Sequence, residues 1–199
     1  MSDDLMLMGL DLETTMSDPP PRGRLLQIGV CLIAERLNSP LLSGAKFVSD
    51  AGYPDFETME RSAEADKVHG ITLERIGRAP SIWDVDRELS LFLLTNGVGP
   101  KRGIAVGWNV GGFDMPFVRF YLPMSAQRLS YRTIDLNAVC MTLGSARGIP
   151  WTELKRRSKA YAREWIGATD HELHAHDAGY DAMEAVLCWQ WLVSEIGRE

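Results

Sequence analysis

The chain has 199 residues, 45% hydrophobic and 24% charged, with a formal net charge of −6. That length suffices for one sizeable hydrophobic core, and the composition is that of an ordinary globular protein. No apolar run is long enough to cross a bilayer, and the acidic start MSDDLMLMGL does not fit a signal peptide, so neither a membrane span nor secretion is expected.

Three cysteines, Cys31, Cys140 and Cys188, are far apart and follow no CxxC spacing. They read as small core residues in a reducing, cytoplasmic setting. The pI near 5.3 argues mildly against nucleic acid as a partner, since phosphate-binding domains are usually basic.

In chain order, LMLMGLDLE, RLLQIGVCLIA (Arg24 to Ala34) and LLSGAKFVS (Leu41 to Ser49) are predicted as three strands. The triple proline of TMSDPPPRG makes the first connection a loop. AEADKVHGIT reads as a short helix and turn, and SIWDVDRELSLFLLTN as a helix with Ser81 as N-cap and Asp84 three residues on. GIAVGWN (Gly103 to Asn109) is a strand, and DMPFVRFYL a helix with Asp114 at its N-cap and Pro116 in its first turn. YRTIDL is a fifth strand, and WTELKRRSKAYAREWI a helix. A final helix carries the stripe Ala178, Ala182, Ala185, Trp189, Leu192 and Ile196. The expectation is an α/β fold, a mixed sheet flanked by helices, in one domain over residues 1–199.

Asp11 and Glu13 end an apolar strand at i and i+2, which puts both on one sheet face. An exposed strand end facing water and a paired, functional site are both compatible with that. Asp114 follows the glycines of GWNVGGFD and could simply cap its helix. Asp181 lies in the first turn of the last helix, where a negative charge is favoured anyway. Carboxylates brought together from three such segments repel unless a cation neutralises them, and oxygen-only ligands suit Mg²⁺ or Mn²⁺.

The stretch TDHELHAHDAGYD, residues 169 to 181, holds three of the four histidines. A polar loop, a zinc site built on His171, His174 and His176, and a single catalytic histidine are the three readings. Zinc usually takes cysteine among its four ligands, and none lies near.

These motifs resemble those of the DEDDh 3′–5′ exonucleases, which include the proofreading subunit of bacterial DNA polymerase III, ribonuclease T and oligoribonuclease. DLETT at Asp11 to Thr15, with QIG at Gln27 to Gly29, is similar to the family's first motif. NVGGFD at Asn109 to Asp114 resembles the second, HDAGYD at His176 to Asp181 the third, and EADKVHGI at Glu64 to Ile71 a further signature. The resemblance implies a ribonuclease H-like fold with a five-stranded mixed sheet. It implies that Asp11, Glu13, Asp114 and Asp181 hold two divalent cations across the scissile phosphate. It singles out His176 among the three histidines as general base, in the loop before the last helix. By the same resemblance Thr14, Glu64, Val68, His69, Asn109 and Phe113 contact the terminal nucleotide or its 3′ end, while Asp135 is a structural hydrogen-bonder.

The implied activity is hydrolysis of single-stranded or short nucleic acid from a free 3′ end to nucleoside monophosphates, with DNA favoured. The alternatives are a 3′–5′ exoribonuclease of short RNA and a catalytically silent binding module of the same fold. Lys155, Arg156, Arg157, Lys159 and Arg163 are expected to form a basic track for the phosphate backbone. With the last helix running almost to Glu199, a free-standing nuclease is expected rather than a polymerase subunit, and a homodimer is left open.

Overall fold

A computed structural model describes residues 5–33, 45–167 and 176–197 of the chain. Three strands open it, β1 (Met6–Thr14), β2 (Leu25–Leu32) and β3 (Lys46–Asp50). Helices α1 (Ala63–His69), α2 (Leu73–Arg78) and α3 (Ile82–Thr95) follow, then β4 (Gly103–Gly107), α4 (Asp114–Tyr121), α5 (Pro123–Ala126) and β5 (Leu129–Asp135). Helices α6 (Leu136–Arg147), α7 (Trp151–Ile166) and α8 (Ala178–Ile196) close the described chain.

The sheet order is β3-β2-β1-β4-β5. β2 runs antiparallel to β1 and β3, while β4 is parallel to both β1 and β5. β1 is therefore the central strand. The expected mixed five-stranded α/β sheet flanked by helices is what the chain forms.

Alternation along β1 decides what each face carries. Met8, Leu10 and Leu12 enter a core built with Val85, Leu89 and Leu93 of α3 and Met115, Phe117 and Val118 of α4. Gly9, Asp11 and Glu13 take the opposite face, against which α8 packs. The second core lies there, with Cys31 and Val106 of the sheet against Leu136 and Cys140 of α6, Leu154 of α7, and Ala182, Ala185 and Val186 of α8. All eight residues of β2 are buried, because helices or strands cover it on every side. Its one side chain able to form strong hydrogen bonds is Gln27.

Two glycines let α8 come down onto the sheet. A Cβ at Gly9 would run into the Ala182 carbonyl oxygen, and one at Gly29 into that of Ala178. Only a residue without a side chain permits such an approach.

Some boundaries differ from the sequence reading. The described part of the third strand begins at Lys46; residues 41–44 lie outside the described residues. Asp114 is not an N-cap: it is the first helical residue of α4, Phe113 holds the cap position, and no side chain caps that end. Helices α2, α5 and α6 come in addition to those expected. Among the described residues no helix is long and apolar enough to cross a membrane.

Candidate active site

The carboxyl ends of β1 and β4 lie side by side, and four carboxylates meet beside them. Asp11 and Glu13 arrive together because they sit two apart on β1. Beyond β4 the chain turns sharply at Asn109, whose φ is 61° and whose carbonyl accepts from the Gly112 and Phe113 amides at 3.0 and 2.9 Å. Asparagine tolerates this left-handed geometry better than most residues. The turn delivers Asp114, only 4% exposed, to the vicinity of Asp11. Asp181 comes from the first turn of α8.

Electrostatics records the crowding. Burial pushes Asp11 well above the ordinary carboxylate range, with Asp114, Asp181 and Glu13 adding to the rise and Lys159 opposing it. Glu13 is pushed up to about 8, first by burial and then by Asp181, Asp177 and Asp114. Asp114 is pushed up to about 7 by burial, against the stabilising backbone amides of Asp114 and Leu12. Negative charges in one poorly solvated place call for a cation. The donor set is oxygen-rich and hard, which suits Mg²⁺ or Mn²⁺ in kind.

His176 stands at the edge of this cluster. Its backbone is left-handed, with φ 64°, one residue before the α8 N-cap. One ring nitrogen lies within 4.8 Å of carboxylate oxygens of Glu13 and Asp181, which are equally close to each other. One water can bridge groups at that spacing. His171 and His174, the other members of the zinc reading, lie outside the described residues.

The expected substrate contacts are arranged less uniformly. Thr14 is buried and its hydroxyl donates to the Met16 carbonyl at 2.9 Å. The Ser62 amide donates to the Thr15 carbonyl at 2.8 Å, tying the start of α1 to the end of β1. Glu64 is exposed, and its carboxylate accepts from the Ser62 hydroxyl at 2.7 Å. Val68 is half exposed on α1. His69 is turned into the protein: its side chain is 1% exposed and Nδ1 accepts from the Ile71 amide at 2.9 Å. Asn109 is exposed, and Phe113 is half-buried against Phe117, ring centroids 5.4 Å apart.

Asp135 caps α6, accepting from the Asn137 amide at 2.9 Å and from the Asn109 amide at 3.1 Å. It thereby braces the turn that presents Asp114.

Of the basic residues expected along α7, Arg156 and Arg157 are exposed, while Lys155 and Lys159 are engaged with other elements. Arg156 and Arg157 both pair with Glu153. Lys155 donates to Asn137 at 3.2 Å and lies 4.4 Å from the Trp108 ring centroid. Lys159 pairs with the buried Glu184 at 2.6 Å and approaches the same indole at 5.6 Å. The Glu153 pairs are ordinary i,i+3 and i,i+4 contacts on one helix face, whereas the partners of Lys155 and Lys159 come from other elements and cannot be read from a helical wheel.

Gln27 and Asp177 were not among the expected site residues. Asp177 is the N-cap of α8, its Oδ1 accepting from the Gly179 and Tyr180 amides at 3.1 and 3.3 Å. An Asp just ahead of a helical stripe is a capping signal that could have marked it. No local signal marks Gln27 beyond its being polar in an apolar strand.

Together these features define a ribonuclease H-like α/β fold with an acidic cluster at the carboxyl ends of its central strands. It is the fold of DEDDh-type exonucleases. The nuclease domain of 3′hExo, a DEDDh family member solved bound to rAMP, matches over 96% of this chain and 92% of its own, at TM-score 0.59 and 14% identity. Cell-death related nuclease 4 matches over 96% of this chain and 64% of its own, at TM-score 0.64 and 15% identity. A moderately thermophilic exonuclease I from Methylocaldum szegediense matches over 97% of this chain, at TM-score 0.65 and 20% identity. The chain spans 41% of that exonuclease I and 64% of the cell-death nuclease. At these identities the likeness is one of fold. No family model matches the sequence, and no curated protein does.

Proposed function

We propose that the chain is a metal-dependent 3′–5′ exonuclease, acting as one nuclease domain on single-stranded or short nucleic acid, with DNA favoured. The observation that carries this is the convergence of Asp11, Glu13, Asp114 and Asp181, with His176 beside Glu13 and Asp181. When bound there, a pair of divalent cations, Mg²⁺ or Mn²⁺, would supply a nucleophile at neutral pH and charge stabilisation for the leaving 3′ oxygen.

In this reading Asp11, Glu13, Asp114 and Asp181 hold the cations through carboxylate oxygens. His176 accepts the proton of the attacking water. Val68 and Phe113 offer apolar faces to the terminal base, and the backbone near Thr14 meets the 3′ end. His69 acts from behind, where its buried ring fixes the turn that follows α1.

The test is a panel of 5′-labelled oligonucleotides, short and long, DNA and RNA, single- and double-stranded, incubated with Mg²⁺ or Mn²⁺. Ladders shortening from the 3′ side, with release of nucleoside monophosphates and loss on chelation or in Asp11→Ala, are expected. Preference for short RNA would make the chain an exoribonuclease. Binding without hydrolysis under either cation would leave a silent module and reject the proposal.

A further inference from the structure

We propose that Gln27 is a positioning residue for His176: it clamps the two residues that follow the histidine and so fixes the left-handed junction from which the imidazole meets Glu13 and Asp181. This rests on the reading of His176 as general base.

Gln27 is 1% exposed on β2 and lies directly opposite Glu13 in the antiparallel pair, hence on the same sheet face. Its side-chain amide makes two bonds to the start of α8 and one to the end of β3. Oε1 accepts from the Ala178 amide at 2.8 Å. Nε2 donates to Asp177 Oδ2 at 3.3 Å and to Asp50 Oδ1 at 2.9 Å. Both amide protons are thus directed at carboxylates, which are the stronger acceptors.

The two carboxylates are themselves fixed. Asp50 takes a two-pronged bond from Arg75, at 2.6 and 2.7 Å. Asp177 caps the first amides of α8 through its other oxygen. Gly29, two residues along β2, lets the Ala178 backbone settle onto the strand. The chain is therefore held at Asp177 and Ala178, while His176 just ahead of them is exposed and left-handed.

The direction of the imidazole follows from how that junction is set. A small rotation at Asp177 would swing the ring away from Glu13 and Asp181 without moving either carboxylate. Loss of Gln27 therefore acts on proton transfer more than on cation or substrate binding. No other side chain type supplies one acceptor and two donors from this buried position on the same stem length.

The experiment uses the full chain, with Gln27→Met, which keeps length and removes every bond, and Gln27→Glu, which keeps the acceptor but sets a third carboxylate between Asp50 and Asp177. His176→Ala and the double variant Gln27→Met/His176→Ala complete the set. With a 5′-labelled oligonucleotide and Mg²⁺, Gln27→Met is expected to lower kcat about 100-fold, the size associated with misplacing a catalytic group by an ångström. KM and Mn²⁺ affinity should stay within about threefold. The double variant should be no slower than His176→Ala alone, because Gln27 acts through the histidine. A loss carried by KM, or a further equal loss in the double variant, would overturn the proposal. Amide exchange at Ala178 gives a readout independent of turnover, expected to speed about tenfold in Gln27→Met while the β1 and β4 amides hold their protection. Should the unmodified chain hydrolyse nothing with either cation, the exonuclease reading fails by itself. Unchanged Ala178 exchange would then defeat the clamp separately. If Gln27→Met does not fold, the same comparisons are made with Gln27→Glu.

Discussion

Gly9 of β1 lies directly beneath the carbonyl of Ala182 in α8, the residue after Asp181. The separation between the β1 carboxylates and Asp181 is set by this backbone-to-backbone approach. Gly9→Ala should push α8 off the sheet, destabilise the protein by roughly 1–3 kcal/mol as an overpacked core does, and weaken Mn²⁺ binding. Urea melts and a Mn²⁺ titration check both effects. An Ala variant with native stability and affinity would show that α8 yields without disturbing the cluster.

The pH dependence of the cation-free protein has a definite sign. Glu13 is raised from 4.5 to about 8 and Asp114 from 3.8 to about 7. A carboxyl group raised on folding contributes stability that is complete below its unfolded value and lost as pH climbs through the folded one. In chelator, the melting temperature should therefore fall between about pH 5 and 8, and millimolar Mg²⁺ should restore it most at the alkaline end. A flat profile over that window, measured by thermal melts, would mean the carboxylates do not crowd as described.

Asp11→Asn should separate activity from stability. Mononucleotide release should drop on the order of 10³-fold, a loss of several kcal/mol of charge stabilisation at the transition state. The same change removes one of four crowded negative charges, so the cation-free fold should melt higher than the parent at pH 8. Lower melting would indicate that Asp11 serves a structural bond.

His176→Ala is expected to keep Mn²⁺ affinity while losing about 10²–10⁴-fold in hydrolysis, the range of general acid–base catalysis. Comparison with His174→Ala tests the choice between the two histidines, since only the first should behave in this way.

Lys159 and Glu184 make a pair whose carboxylate is 3% exposed. Lys159→Met should cost about 3–5 kcal/mol by leaving a buried charge without its cation, and Lys159→Met/Glu184→Leu should recover part of the loss. Denaturant melts of the two variants give the comparison.

What the sequence made legible follows from how local each signal is. Asp11 and Glu13 could be placed on one face because a strand alternates, and Ser81 could be placed as a cap because its bond to the Asp84 amide spans three residues. Helix α6 was missed although Leu136, Cys140 and Leu143 lie at helical spacing with Asp135 capping one end and Gly148 the other. Its Gly, Ser, Thr and Cys content weakens the propensity signal, and tertiary burial overrides it. α5 was not readable, because its first amides are capped by Asp86 of α3, at 2.9 and 2.8 Å, some 40 residues earlier. Asp114 was misplaced as a cap for a related reason. A helix N-terminus favours a carboxylate at the cap and in the first turn alike, so the residue type does not separate the two positions. Gln27 has no local signal of its role, since its partners on β3 and at the start of α8 stand 23, 150 and 151 positions away.

β1 is the middle strand, so Asp11 and Glu13 are rooted where the sheet is deepest, whereas His176 perches on an exposed bend ahead of α8. The two parts of the site should accordingly wear out at different rates. On the proposed reading, gentle heating, or mild damage near the bend, would leave an acidic grip intact after the histidine had drifted off, turning a cutter into a holder.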